Sequence, residues 1–245
     1  KNMRLLLKLK ANGNFAYDPS INHKIQGFIY KNLEGSFFDD LHNRKGSKYF
    51  CFSNIFPYGD IKEGSEVNLI ISSPVSQLIK MIENRISLDN RINIGDYSFS
   101  LVSYKKFNIK IREDRVRLEN STPIILRVKK EFIEDRNKKY EYYYWRRNMN
   151  LKIFIDQLNE NLIKKYESFF GIKTEVKQLF EVYKFKEELS PVVQINGKNV
   201  KLIGSYWEFE TVNLDKNVLD IIRFIIDTGF GEMNSLGFGF INLKI

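Results

Sequence analysis

The sequence predicts an α+β protein made of two consecutive ferredoxin-like (RRM-like) βαββαβ units. Two observations carry that expectation. Strand-type alternation and helix-type periodicity follow one another in the order β-α-β-β-α-β through the N-terminal part of the chain. The same order then returns in the C-terminal part, as an order of elements and not as a repeat of letters. The length of 245 residues suits two units of ordinary size. The boundary is expected in the charged stretch 105–120, which separates a unit at 1–113 from a unit at 114–245.

Residues 4–10 alternate Leu5, Leu7 and Leu9 with charged side chains, as a half-buried strand does. Asp18-Pro19 reads as a helix start, with Asp18 as the cap and Pro19 at the first position. Ile21, Ile25, Phe28 and Ile29 mark one apolar face, and Gly35 is the expected stop. Strands are expected at 48–56, 66–72 and 97–104, with a helix opening at Pro74 and burying Val75, Leu78, Ile79 and Ile82. In the second unit strands are expected at 123–129, 174–185, 200–211 and 238–244. The helices there run over 149–170, closed by Gly171, and through Val218, Ile221, Ile222 and Ile225. Residues 138–147 (KKYEYYYWRR) insert aromatics and bases before the long helix. Two readings stand for them: a basic aromatic hairpin on a ligand-binding side, or a cover for a sheet edge.

The formal net charge is +9 and the sequence pI about 9.3, which favours a polyanionic partner, nucleic acid before membrane. Phe and Tyr number 20 and 13, and aromatics among Lys and Arg suit base stacking beside phosphate contacts. The single cysteine, Cys51, excludes a disulfide framework and a Cys-based metal site and fits a reducing cytoplasm. It sits in an apolar run and is expected to be buried. No apolar run is long enough to span a membrane, and no signal-peptide pattern opens the chain. His23 and His42 are the only histidines, so no metal centre or cofactor is expected.

The most unusual stretch lies near the end, GFGEMNSLGFGF, where Gly229, Gly231, Gly237 and Gly239 form two G-aromatic-G clamps. Glycine allows positive φ and close backbone approach, and successive bare N–H groups make an anion-binding concavity. The dinucleotide-binding fingerprint is excluded by context, because the loop follows a helix and runs into a strand. A tight helix-to-strand turn is the alternative. His42 begins the polar loop Asn43-Arg44-Lys45-Gly46-Ser47, where a histidine can move protons near neutral pH or be a plain surface residue. At about 100° per residue, Tyr30 falls opposite the apolar stripe of its helix, on the side of His23 and Gln26. Lys48 opens the next strand.

These residues resemble the Cas6 family of CRISPR-associated repeat-processing endoribonucleases. The loop GFGEMNSLGFG is similar to that family's signature, and so are MRLLLKLK, NHKIQGFIYKNL and LHNRKGSKYFCFS at the other end. The middle of the chain matches in architecture and not in motif. The resemblance implies a catalytic tyrosine at Tyr30, a catalytic histidine at His42 and a lysine at Lys48. RNA contacts are expected from the loop residues Arg44 and Lys45, from the basic pair Arg146 and Arg147, and from Gly229, Gly231, Ser235, Gly237 and Gly239. The implied reaction is attack of the RNA's own 2′-OH, giving 2′,3′-cyclic phosphate and 5′-OH ends without a metal. Its implied partners are CRISPR repeat RNA, as precursor and as mature crRNA, and other interference subunits. A second copy of the chain is also compatible. One departure is plain: the insert between the clamps, Glu232 to Leu236, lacks the Lys or Arg usual in the family. A non-cleaving scaffold of the same superfamily is the rival reading. Valine at Gly237 or Gly239 is expected to weaken RNA binding more than it weakens the fold.

Overall fold

The computed structural model describes residues 3–43, 45–111, 115–133, 139–195, 197–212 and 215–244. Strand β1 (Met3–Ala11) buries Leu5, Leu7 and Leu9, as alternation requires. Helix α1 (Ile21–Lys31) begins two residues later than Pro19. Asp18 does not cap it. Its carboxylate accepts from the Ser20 N–H (2.7 Å) and pairs with Lys24 (2.5 Å), organising the entry one step upstream. The helix also ends short of Gly35, at Lys31.

The strand expected over 48–56 shrinks to β2 (Cys51–Phe52). Tyr49 sits at φ 54, in the left-handed region, and that turn prevents pairing further back. β3 (Glu66–Ser73) and α2 (Ser76–Ile86) follow as expected. β4 (Arg91–Ile94) was not anticipated. It forms a hairpin with β5 (Tyr97–Phe107) through Gly95, whose φ of 61 the turn requires.

β6 (Val116–Asn120) falls in the stretch expected to be a crossover, although its alternation is plain: Val116, Leu118 and Asn120 are buried and Arg117 is exposed. Residues 123–129 split into β7 (Ile124–Ile125) and β8 (Arg127–Lys129), because β7 pairs with one sheet and β8 with a separate ribbon. β9 (Tyr142–Tyr144) completes that ribbon. α3 (Leu151–Phe170) ends at Gly171 in the left-handed conformation, as expected. β10 (Val182–Leu189) lies later than the predicted 174–185. The hairpin β11 (Val192–Ile195) and β12 (Lys198–Lys201) precedes β13 (Gly204–Thr211). α4 (Lys216–Thr228) and β14 (Ile241–Leu243) close the chain.

The two main sheets have one topology. The first runs β2-β3-β1-β5 with β4 added at its edge, and the second runs β10-β13-β6-β14. In each, the strand before the first helix sits between the third and fourth strands of its unit, all antiparallel, which is the ferredoxin-like order. α1 and α2 bury Ile25, Ile29, Leu78 and Ile82 against the first sheet. α3 and α4 bury Phe154, Leu158, Ile222 and Ile225 against the second, where Phe154 stacks on Trp207 at 4.0 Å.

One charged side chain joins the halves. Arg4, on the face of β1 opposite Leu5, Leu7 and Leu9, is fully buried under the second half. It pairs with Asp227 at 2.6 Å, donates to the Ile226 and Ile241 carbonyls (2.8 and 2.7 Å), and lies 4.7 Å from the centre of the Phe240 ring. A buried ion is tolerable when its donors are all answered in this way. Cys51 is buried as expected, and its thiol donates to the Phe238 carbonyl at 3.3 Å.

Candidate functional site

The glycine loop connects α4 to β14 and packs against the first half of the chain. Its four glycines have φ between 71 and 85 and are buried. A Cβ at Gly239 would overlap the Phe230 carbonyl, one at Gly231 the Ile125 carbonyl, and one at Gly237 the Phe52 ring. Close backbone approach therefore explains all three. The amides of Gly229, Gly237 and Gly239 donate to the carbonyls of Ile225, Asn234 and Pro123 at 3.1, 2.8 and 2.8 Å. These N–H groups are used within the chain and do not line an open anion cradle.

The loop is fastened by a lysine that the sequence reading did not select. Lys165 of α3 is buried and donates to the Gly229 carbonyl (2.9 Å), the Gly231 carbonyl (2.5 Å) and Asn234 Oδ1 (2.7 Å). Burial pulls its pKa down to about 7. The signal was present in the periodicity, since Lys165 stands three residues after Leu162 and seven after Leu158, on the buried stripe of the helix. Asn234 adds bonds from Nδ2 to the Phe230 and Phe238 carbonyls (3.1 and 2.8 Å).

Three of the predicted residues meet at the outer side of this loop. A polar stripe of α1 faces it: Asn22 donates to the Leu236 carbonyl at 2.7 Å and Gln26 to the Ser235 carbonyl at 2.8 Å. Tyr30, one further turn along, continues the stripe, while His23 is exposed. The Tyr30 and His42 rings are 4.9 Å apart, edge to face. Lys48 donates to the His42 carbonyl at 2.5 Å, and its ammonium lies 5.4 Å from the centre of the Tyr30 ring. His42 is exposed at the end of a single 3₁₀ turn, Asp39–His42, with Nδ1 3.2 Å from Asn43 Oδ1.

Burial pushes the Tyr30 phenol up to about 12. The phenol oxygen is buried and meets no described group at hydrogen-bond geometry. Burial also lowers the Lys48 pKa. Tyr30 thus keeps its proton near neutrality, and an orphaned hydroxyl beside a histidine and an ammonium can donate to an incoming oxygen.

Of the three, Lys48 lines a cleft of about 510 Å³, together with Arg127, Lys164, Lys165 and the loop from Gly231 to Ser235. Glu232, the departure noted in the insert, is bound to Arg127: Oε2 takes the side chain (Nε 2.6 Å) and Oε1 the backbone N–H (3.0 Å). Arg44 lies outside the described residues. Lys45 is exposed nearby. Arg146 and Arg147 are exposed at the start of α3, away from the trio, and the Arg147 N–H donates to Glu188 at 2.7 Å. Among the described residues no three His, Cys, Asp or Glu side chains gather as a metal site, and no helix is long and apolar enough to cross a membrane.

Residues 104–243 match the family described as CRISPR associated protein Cas6, C-terminal. The CRISPR-associated endoribonuclease Cas6 2 of Methanocaldococcus jannaschii is 31% identical over 247 residues, covering 98% of this chain and 99% of that one. The CRISPR-associated endoribonuclease Cas6 of Haloferax mediterranei is 30% identical over 252 residues, covering 98% and 93%. A solved structure described as CRISPR associated protein Cas6 superposes over the whole of both chains with a TM-score of 0.75 at 24% identity. With a family match over more than half its length and full-length relatives of that kind, the chain belongs to the Cas6 family of CRISPR-associated endoribonucleases.

Proposed function

We propose that this protein cleaves CRISPR precursor RNA within its repeats to release guide crRNA, with Tyr30, His42 and Lys48 as its reacting groups. The observation that carries the reading is their convergence beside the glycine loop, in a chain of this family. His42 takes the proton of the 2′-OH. The 2′-oxygen then bonds to phosphorus and the bond from phosphorus to the 5′-oxygen breaks. Tyr30, held protonated by burial, gives its proton to the departing 5′-oxygen. Lys48 faces the negative charge that develops on the phosphorane. The ends are a 2′,3′-cyclic phosphate and a 5′-hydroxyl, and the two protein groups exchange protons with water before the next turnover. No metal or other cofactor takes part in this sequence.

On this reading RNA is held by Arg44, Lys45, Arg146 and Arg147 and by Ser235 at the outer side of the loop. Gly229, Gly231, Gly237 and Gly239 contribute by shaping that loop. With units at 1–113 and 114–245, the reacting groups come from the first and the loop from the second; the buried residues of the first core end at Phe99, and Ile109 and Ile111 already pack against the second. Repeat RNA, as precursor and product, and other interference subunits are the partners, in a cytoplasmic setting.

The test is single-turnover cleavage of a repeat RNA with enzyme in excess, beside a binding titration. His42→Ala should slow cleavage by about 10²–10⁴ and leave binding near wild type. A 2′-deoxy nucleotide before the cut should block the wild-type reaction, and a chelator should not. Unchanged cleavage by His42→Ala would overturn the mechanism. A wild type that binds repeat RNA tightly and never cuts it would move the protein to the scaffold reading.

A further inference from the structure

The aromatic insertion is not used by the reaction above, and its place in the fold gives it a role. Its residues divide. Trp145 is buried and packs on Phe154 and Trp207, with ring centres 4.8 and 5.5 Å away, so it belongs to the core. The tyrosines before it do not. Tyr140 and Tyr142 are 61% and 45% exposed, and with Tyr143 they line a hollow of about 780 Å³ at the start of α3. Phe132 and Tyr144 add to its aromatic lining, and two arginines, Arg127 and Arg146, stand in its wall.

The tyrosines are held in place from behind. Tyr142 pairs with Lys129 and Tyr144 with Arg127 across the β8–β9 ribbon. The Tyr143 hydroxyl accepts the Tyr140 N–H at 3.0 Å, and these two rings meet edge to face at 6.1 Å. The Arg127 guanidinium lies 6.0 Å from the centre of the Tyr142 ring. A sheet-edge cover would bury its rings, whereas these remain open beside a fixed ribbon. Exposed aromatics of this kind mark a binding surface more than a packing one.

Charge chooses the occupant. Arg146 in the wall of the hollow, and Lys129 opposite Tyr142 in the ribbon, form no ion pair among the described residues, so positive charge stays uncompensated beside the rings. Aromatic faces rimmed by cations are what an unpaired nucleotide needs, with the base on the ring and the phosphate on the cation. Position supports the same occupant. Arg127, paired with Glu232, lines this hollow and also the cleft that holds Lys48 and Ser235, so the two are adjacent and one strand can reach both.

We propose that the hollow framed by Tyr140, Tyr142, Tyr143 and Arg146 is a stacking site for an unpaired base of the RNA, outside the cleavage site and continuous with it through Arg127. This rests on the reading that the protein binds repeat RNA. It assigns Tyr140 and Tyr142 to substrate positioning and not to bond cleavage.

The experiment places one 2-aminopurine at successive positions of a repeat RNA from the host array, with a 2′-deoxy nucleotide at the cut so that binding is read alone. Fluorescence should be quenched by the wild type at one or two neighbouring positions, where the base stacks. Tyr142→Ala and the double variant Tyr140→Ala/Tyr142→Ala should lose that quenching and bind about tenfold more weakly, within the usual range for one stacked base. Tyr142→Phe, which keeps the ring, should retain both. An abasic nucleotide at the quenched position should weaken the wild type and leave the double variant unchanged. Cleavage of all-ribose RNA at subsaturating enzyme should fall with affinity in the two alanine-containing variants and be kept by Tyr142→Phe. If the wild type cleaves and the folded double variant shows the same quenching and affinity, the stacking site is overturned and the nuclease reading stands. If quenching depends on the tyrosines while the wild type never cleaves, the stacking site stands and the nuclease reading falls. A wild type that binds no repeat RNA overturns both.

Discussion

The two sides of the cleft are built in opposite ways. The glycine loop is buried, three of its four glycine amides are bonded inside the chain, and its carbonyls converge on Lys165. On the Tyr30–His42–Lys48 side only His42 is exposed, held by one short turn, while the Tyr30 phenol oxygen is buried and has no hydrogen-bond partner among the described residues. The loop is thus an internally bonded wall, and the Tyr30 phenol beside it keeps an unspent hydrogen bond for a substrate. A motif rich in glycine suggested a phosphate cradle; its geometry instead makes it the surface against which Tyr30 and Ser235 are set. The contrast is one of stability against reactivity, since a group that must exchange protons with a substrate cannot have all its partners supplied by the protein.

The strongest way to break this comparison is Gly239→Val. A side chain there overlaps the Phe230 carbonyl, and the φ of 71 is costly for any residue with a Cβ. The expectation from sequence, that RNA binding would suffer before the fold, is reversed. The variant should unfold or lose its cooperative melting transition, and any soluble fraction should show the same RNA affinity per folded molecule. A variant that melts like wild type and fails to bind RNA would restore the cradle.

Lys165→Met comes next. It leaves two carbonyls and the Asn234 amide oxygen without their donor, at about 1–3 kcal/mol for each buried group left unsatisfied, less what is regained by no longer burying an amine. At about 2–4 °C per kcal/mol for a chain of this size, the melting temperature should drop by several degrees. The pH dependence has a definite sign. The folded pKa of Lys165 is about 7, below its ordinary 10.5, so the unfolded chain binds more protons between those values. Wild-type stability should therefore rise relative to Lys165→Met as pH climbs from about 7 towards 10.5. Cleavage should fall with the loop's order, because Ser235 and Tyr30 are set by it. A melting temperature and a rate both unchanged would show that the loop stands without its lysine.

Much of this was legible, for identifiable reasons. Leu5, Leu7 and Leu9, and Ile25 with Ile29, follow the period of their element, and period decides which face is buried. β6 was missed although it alternates, because Arg115 and Arg117 made its stretch read as a charged linker; those arginines lie on the exposed face and pair with Glu210. Arg4 was unreadable in a stronger sense. It shares a face with Lys8 and Lys10, and no local pattern marks one of three cations as the one that the second half covers. Tyr30, His42 and Lys48 came from a resemblance; periodicity alone left Tyr30 free of its helix's apolar face and gave His42 no partner. The closeness of their side chains is a product of tertiary packing that no spacing in the sequence encodes.

The finest test concerns the Tyr30 side of the cleft and asks which proton Tyr30 moves. With a pKa of about 12, the phenol is protonated throughout the neutral range, and its capacity to donate is lost only as pH rises through that value. If Tyr30 is the acid, its contribution is constant between about pH 6 and pH 9. Tyr30→Phe should then lower the single-turnover rate, towards the low end of the 10²–10⁴ typical of a general acid, without changing the shape of the pH profile. On a logarithmic plot the two profiles run parallel. If Tyr30 were the base, the active phenolate fraction would grow tenfold with each pH unit in this range. The wild-type rate would climb accordingly, and the phenylalanine variant would lose that slope. His42→Ala supplies the control: if His42 is the base, its removal should change the shape of the pH profile that Tyr30→Phe leaves intact. A profile whose slope disappears with Tyr30 and survives the loss of His42 would exchange the two roles.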